Sequence, residues 1–226
     1  MKYKFVLIDA DDTLFDFQKT AEIVFEKTCK KVGVDYKKNY YLIYEKINQR
    51  YWDLYSVGKV SKAHLKNRRF LDFTQAVNVS ADVNEMNSLY EEELSKTAIL
   101  FPSSIPTLIK LKELGVKLYL ITNGTASVQR GRIAVSRIER LFDGIFISDE
   151  IGYSKPSKEY FIHVTENVPN FDKSKTLIVG DSLVSDVPLG LDNGIDVCFF
   201  NPKKTKTDLC INYQISDLKK LIEIVL

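Results

Sequence analysis

Residues 5–13 read FVLIDADDT, an apolar run that ends in three aspartates and a threonine. The apolar run predicts a short buried strand. Ligands of open α/β sheets bind just beyond the carboxyl ends of the strands, and the aspartates of this stretch would lie there. Carboxylates so close together repel one another unless a cation is near. We therefore predict an α/β fold whose functional site lies at the end of the first strand.

The rest of the chain indicates how this strand is built into a sheet. Apolar residues recur at helical spacing over about eighty residues after Thr13, and strands and helices alternate from Leu100 onward. Strands separated by helical segments indicate a parallel sheet with helices on both faces. The later predicted strands are residues 116–121, 145–147, 176–179, 196–200 and 213–215.

The long helical segment falls between the first and second strands, so it predicts an inserted, all-helical domain. We assign residues 1–15 and 98–226 to the core that contains the sheet, and residues 16–97 to the insertion. Ser61 is expected to cap one helix of the insertion, and Asp82 with Glu85 another. Most of the aromatic residues in this segment are expected to pack its interior.

Composition narrows the class of protein. The chain has 226 residues, a net charge of +2 and a pI of about 8.2. This balance gives no electrostatic reason to expect a nucleic acid polymer or an acidic membrane as a partner. The three cysteines are scattered, which is typical of a reducing compartment, and we find neither a signal peptide nor an apolar run that would span a membrane. We expect a cytoplasmic monomer or weak homodimer that acts on a small molecule.

Polar residues follow several of the later strands, as they follow the first. Because the carboxyl ends of parallel strands lie at one edge of a sheet, folding is expected to gather these side chains at a common rim. The predicted rim contains Asp9, Asp11, Thr122, Lys155, Asp181 and Asp186.

The charges of this rim predict a divalent cation. Two carboxylates about 4 Å apart repel by roughly 4 kcal/mol at an effective dielectric of about 20. Four carboxylates with only Lys155 between them would therefore be unfavourable. A site made of oxygen ligands suits Mg²⁺. Both histidines, His64 and His163, fall in predicted helices, which disfavours zinc. We predict Mg²⁺ as the cofactor.

The segments that supply the rim resemble the motifs of the haloacid dehalogenase superfamily. They read DADDT at residues 9–13, TNG at 122–124, KP at 155–156 and GDSLVSD at 180–186, in the family's order and with its spacing. The resemblance implies a Rossmann-like core with a helical cap domain inserted after the first motif. Asp12 stands where family members often have glycine, and we expect it to serve a local turn.

The resemblance also implies a catalytic pair. Asp9 matches the nucleophile, which attacks phosphorus and forms an aspartyl-phosphate. Asp11 matches the general acid and base, which protonates the leaving oxygen and then activates water.

The other rim residues match groups that bind the phosphoryl group and the metal. Thr122 matches the hydroxyl that holds the phosphoryl group, with the backbone N–H groups that follow it, including that of Asn123. Lys155 matches the cation that balances the charge of the site. The implied metal ligands are the carboxylate of Asp9, the main-chain carbonyl of Asp11 and Asp181, with Asp186 acting through water or Lys155.

The rim favours phosphoryl chemistry within the superfamily. Dehalogenases need neither a leaving-group acid nor Mg²⁺, whereas this chain has Asp11 and the Asp181/Asp186 pair. The resemblance therefore implies a phosphatase acting on phosphate monoesters. A phosphomutase, a phospho-accepting receiver domain and a non-catalytic binding module remain as alternatives.

The prediction of the substrate depends on segments of the inserted domain. Residues 47–49, Trp52, Gly58 and residues 68–70 resemble the cap of bacterial pyrimidine-type 5′-nucleotidases. This resemblance implies a nucleoside monophosphate as substrate, with one or two aromatic side chains available to stack on the base. A sugar-phosphate phosphatase is the alternative within the same class.

Overall fold

The computed structural model describes all 226 residues, which form six β-strands and ten α-helices. The strands are β1 (Phe5–Asp9), β2 (Lys117–Thr122), β3 (Gly144–Ile147), β4 (Thr176–Gly180), β5 (Asp196–Phe200) and β6 (Tyr213–Ile215). The helices are α1 (Phe17–Lys31), α2 (Lys38–Ser56), α3 (Lys62–Val77), α4 (Val83–Ser95), α5 (Ser104–Glu113), α6 (Ala126–Ser136), α7 (Ser148–Ile151), α8 (Lys158–Glu166), α9 (Asp186–Leu191) and α10 (Leu221–Val225). Every predicted strand overlaps an observed one.

All six strands form one parallel sheet in the order β3-β2-β1-β4-β5-β6. β1 lies inside the sheet, between β2 and β4, and every residue of β1 is buried. A strand that is buried along its whole length is covered on both faces, as the strands of α/β proteins are. The predicted α/β fold with a Rossmann-like parallel sheet is confirmed.

The chain divides into two compact units. The first comprises Met1–Phe17 and Ile99–Leu226 and contains the whole sheet. The second comprises Gln18–Ala98, and its regular structure is entirely helical. The chain passes between the units after Phe17 and after Ala98, whereas the boundaries assigned from the sequence fall after residues 15 and 97.

The second unit has an aromatic interior. Phe25 and Tyr44 stack with ring centroids 4.4 Å apart, and Tyr44 also stacks on Phe70 at 5.0 Å. The hydroxyl of Ser61 and the carboxylate of Asp82 each accept main-chain N–H groups from the first turn of α3 and α4 respectively, as the sequence predicted. No helix of the chain combines the length and the apolar character that crossing a membrane would require.

Two local features differ from the prediction. The sequence pattern predicts a helix over residues 126–140, but α6 ends at Ser136, because Arg137 has a left-handed backbone with φ of 57°. Few residues other than glycine adopt that conformation, and it stops the helical hydrogen-bond pattern. α7 follows β3 directly and has no predicted counterpart. A helix of four residues is too short for a periodic apolar pattern to reveal it.

Candidate active site

Three neighbouring strands end with polar groups at one edge of the sheet. β1 ends at Asp9, β2 at Thr122, and β4 at Gly180, directly before Asp181. β1 lies between the other two strands, and Asp9 pairs in register with Ile121 of β2. The parallel arrangement therefore places residues from distant parts of the sequence beside one another, as in ligand sites of open α/β sheets.

Three carboxylates converge at this edge. Asp9, Asp181 and Asp186 each offer an oxygen, and these oxygens all lie within 4.8 Å of one another. Asp9 and Asp186 are buried, and Asp181 is partly buried. Gly180 allows the close approach, because a Cβ atom at this position would lie 2.3 Å from the carboxylate carbon of Asp186. The carboxylate of Asp11 is not a member of this group.

Burial of these carboxylates disfavours their ionised forms. Burial raises the pKa of Asp9 to about 7, and Asp186 adds to this rise while Lys155 opposes it. Burial also raises the pKa of Asp181 well above its usual value, and the charges of Asp9 and Asp186 raise it further. A bound proton or a metal cation relieves such crowding. Oxygen donors of this kind fit a hard divalent ion such as Mg²⁺.

Lys155 places one positive charge inside the cluster. Its side chain is buried, and its Nζ donates to Asp9 Oδ1 at 2.6 Å and to Asp186 Oδ1 at 2.7 Å. It also donates to the carbonyl of Ile121 at 3.0 Å. Burial lowers the pKa of Lys155, but the charges of Asp186 and Asp9 outweigh burial and raise it above its usual value. The ammonium group therefore stays charged and holds both carboxylates.

The TNG segment holds the main chain of Lys155. Asn123 Nδ2 donates to the carbonyl of Lys155 at 2.8 Å, and the Lys155 N–H donates to Asn123 Oδ1 at 2.8 Å. Thr122 is buried, and its hydroxyl accepts from the N–H of Gly124 at 3.1 Å. The side chain of Asn123 thus fixes the backbone that carries the lysine.

Asp11 lies beside two residues that the sequence analysis missed. Gln129 Nε2 donates to Asp11 Oδ2 at 2.5 Å, and Arg132 Nη1 donates to Asp11 Oδ1. Both partners lie on α6, the helix that follows the TNG segment, and both are buried. Two polar residues three positions apart on a helix beside a functional loop were the available signal, but such a pair normally indicates a solvated face.

The Arg132 side chain packs against two aromatic rings. Its guanidinium carbon lies 4.2 Å from the ring centroid of Phe15 and 5.5 Å from that of Phe17. A cation placed over an aromatic face is stabilised by roughly 0.5–2 kcal/mol. Nε and Nη2 of this arginine have no hydrogen-bond partner, so Asp11 is its acceptor. The buried charge is compensated by one carboxylate and two rings.

The segments of the second unit that resemble a nucleotidase cap contain both buried and partly exposed residues. Arg69 is buried and donates to the side chains of Asn48 at 3.2 Å and Asn87 at 2.8 Å. These side chains therefore stabilise the interior of the unit. Trp52 remains partly exposed and meets Tyr55 edge to face, with ring centroids 5.8 Å apart.

Comparison with known proteins assigns the family. Residues 3–194 match the haloacid dehalogenase-like (HAD-like) hydrolase family. The chain belongs to this family. The matched region begins before β1 and extends past the last of the converging carboxylates, so the family assignment includes every residue of the rim.

Relatives of this HAD-like hydrolase match it over its whole length. It is 30% identical to the HAD-hydrolase YfnB of Bacillus subtilis, over 99% of this chain and 96% of YfnB. The crystal structure of YfnB bound to magnesium superposes with a TM-score of 0.94 and covers 100% of this chain and 99% of that chain. The chain is also 29% identical to the pyrimidine 5′-nucleotidase PynA of Streptococcus pneumoniae, over 99% of this chain and 95% of PynA. It is 25% identical to the pyrimidine 5′-nucleotidase YjjG of Escherichia coli, over 100% of this chain and 99% of YjjG.

Proposed function

We propose that this HAD-like hydrolase is a Mg²⁺-dependent phosphatase that hydrolyses small phosphate monoesters, with nucleoside monophosphates as its substrates. The observation that carries this proposal is the buried cluster of Asp9, Asp181 and Asp186 around the ammonium group of Lys155. A cluster of this kind provides a nucleophilic carboxylate, a cation and oxygen donors for a metal within one small volume.

In the first proposed step, an Asp9 oxygen forms a bond to phosphorus while the bond from phosphorus to the ester oxygen breaks. Asp11 gives its proton to the departing oxygen, and the phosphoryl group remains on Asp9 as an acyl phosphate. Lys155 stabilises the ionised form of Asp9 through the 2.6 Å contact and offsets negative charge on the phosphoryl oxygens.

In the second step, Asp11 takes a proton from water as that water forms a bond to phosphorus. The bond between Asp9 and phosphorus breaks, inorganic phosphate leaves, and both carboxylates return to their starting forms. The Thr122 hydroxyl and the N–H of Asn123 hold the phosphoryl oxygens through both steps. Asp186 keeps Lys155 in place through the 2.7 Å contact.

Mg²⁺ would be held by the carboxylates of Asp9 and Asp181 together with the main-chain carbonyl of Asp11. The raised pKa values of Asp9 and Asp181 support this assignment, since both groups gain from a nearby positive charge. When bound, the ion supplies charge that favours ionised Asp9 and neutralises part of the phosphoryl group.

The substrate class rests on the relatives. Two proteins that match this chain along its whole length are named as pyrimidine 5′-nucleotidases, which supports a nucleoside monophosphate as substrate. A cytoplasmic location is proposed with it, because all three cysteines are free, as is usual in a reducing compartment.

The experiment that tests this function is phosphate release from a panel of phosphate esters with Mg²⁺. We expect UMP, dUMP or dTMP to give the highest kcat/KM, and EDTA to abolish turnover until Mg²⁺ is restored. A preference for hexose or triose phosphates would replace the nucleotidase proposal with a sugar-phosphate phosphatase. Movement of phosphate within the substrate, without release, would indicate a mutase.

A further inference from the structure

We propose that Gln129 and Arg132 are positioning residues that hold the Asp11 carboxylate in the orientation required for proton transfer. This inference rests on the proposed phosphatase reaction, in which Asp11 exchanges protons with the leaving group and with water. Gln129 Nε2 donates to one carboxylate oxygen at 2.5 Å, and Arg132 Nη1 donates to the other. Two donors on separate oxygens fix both the position and the rotation of a carboxylate.

The two donors are anchored more firmly than the group they hold. Gln129 is 1% exposed and Arg132 is 0% exposed, whereas the side chain of Asp11 is 28% exposed. Gln129 and Arg132 lie three positions apart on α6, so they project from one face of a packed helix. Asp11 thus remains open to reactants while its orientation is determined from the interior.

Gly124 supplies an independent observation. A Cβ atom at residue 124 would lie 2.1 Å from Gln129 Nε2 and 2.7 Å from Gln129 Cγ. The Gln129 side chain therefore crosses the space that any larger residue would fill on its path to Asp11. The glycine of the TNG segment is needed for this crossing, which links that segment to the general acid as well as to Lys155.

The bonding of Arg132 supports a functional assignment. Nε and Nη2 are buried without hydrogen-bond partners, although a guanidinium group offers five N–H donors. An arginine retained for stability alone is expected to satisfy more of these donors. Instead, Nη1 of Arg132 donates to Asp11, and the guanidinium group packs over the rings of Phe15 and Phe17.

Two substrates with different leaving groups distinguish a role of Arg132 in positioning Asp11 from a role in stabilising the fold. A nucleoside departs as a poor leaving group and needs the proton of Asp11, whereas p-nitrophenolate leaves without one. kcat/KM reports the step in which Asp9 is phosphorylated. We expect Arg132→Met to lower kcat/KM for the best nucleoside monophosphate at least about tenfold. The loss should not exceed the factor of about 10²–10⁴ that general acid–base catalysis contributes as a whole. The loss for p-nitrophenyl phosphate should stay below about threefold.

A mutant cycle supplies the second readout. If Arg132 acts through Asp11, then adding Arg132→Met to Asp11→Asn should cost less than about threefold more. Arg130→Met is the matched control on the same helix, because Arg130 pairs with the exposed Glu150 at 2.7 Å and not with Asp11. This control should retain wild-type kinetics on both substrates.

Several outcomes would overturn the inference. Equal losses of kcat/KM on both substrates would show that Arg132 has only a structural role. The same conclusion would follow if Arg132→Met lowered kcat/KM as much in the Asp11→Asn protein as in the wild type. Unchanged kinetics in both Arg132→Met and Gln129→Met would remove the role altogether. Should Arg132→Met not fold, Gln129→Met and Arg132→Lys carry the same leaving-group comparison. Wild-type protein that released no phosphate from any ester would instead refute the proposed function.

Discussion

Replacing Lys155 with methionine probes the electrostatics of the carboxylate cluster. The Lys155 ammonium lies 2.6 Å from Asp9 Oδ1 and 2.7 Å from Asp186 Oδ1, and its side chain is 2% exposed. Each contact contributes roughly 6 kcal/mol of attraction at an effective dielectric of about 20, before the cost of removing the charges from water is counted. Breaking a buried pair by removing one partner destabilises proteins by about 3–5 kcal/mol. We expect Lys155→Met to lower the free energy of unfolding of the metal-free protein by about that amount.

Urea unfolding in EDTA, followed by far-ultraviolet circular dichroism, measures this loss. Lys117→Met is the matched control, because Lys117 also pairs with an aspartate, Asp143, at 3.1 Å, but its side chain is 59% exposed. No measurable change is expected for the control, since exposed ion pairs contribute little. Adding Asp186→Asn to Lys155→Met should recover part of the stability, because one unpaired carboxylate is then neutralised. Equal unfolding midpoints for Lys155→Met and Lys117→Met would refute the reasoning.

Three further predictions address pH, the TNG glycine and the second unit. Burial raises the pKa of Asp9 from 3.8 to about 7, so the free energy of unfolding of the metal-free protein should decline as pH rises between these two values. Mg²⁺ should therefore raise the melting temperature more at about pH 8 than at about pH 6. A Mg²⁺-induced rise in melting temperature that is the same at both pH values would contradict this. Gly124→Ala should displace Gln129 from Asp11 and lower kcat with little change in melting temperature; unchanged kcat would show that this contact is dispensable. Hydrogen bonds from two lysines lower the pKa of Glu93 from 4.5 to about 2, so the stability it contributes should be lost as pH falls through that range. Acid titrations should therefore differ between wild type and Glu93→Gln, and identical curves would exclude the contribution.

The sequence predicts the residues that lie on strands or directly after them. Asp9 and Asp181 follow short apolar runs that read as buried strands, and the parallel topology then brings their side chains together. The alternation of strands and helices likewise predicts the α/β sheet. These conclusions depend on local patterns and on one general rule about sheet edges, so they need no knowledge of side-chain packing.

Residues whose role depends on packing could not be predicted in this way. Gln129 and Arg132 are separated from Asp11 by 118 and 121 positions, and nothing local distinguishes them from a solvated helix face. Arg69 and Asn48 lie in segments that resemble a nucleotidase cap, and only the structure shows that they are buried and hydrogen-bonded to each other. Whether a polar side chain faces water or a partner is decided by long-range contacts, which single-sequence patterns do not contain.

The most direct test of the proposed mechanism is mass spectrometry of the protein quenched in acid during turnover with Mg²⁺ and its best phosphate ester. The peptide that contains Asp9 should gain the mass of one phosphoryl group, and the adduct should disappear once substrate is exhausted. Asp9→Asn should lack both adduct and turnover. Asp12→Asn, its matched control, should retain both, because asparagine tolerates the left-handed φ of 57° at this position. Turnover by Asp9→Asn at the wild-type rate, or a phosphoryl group on any other residue, would contradict the account.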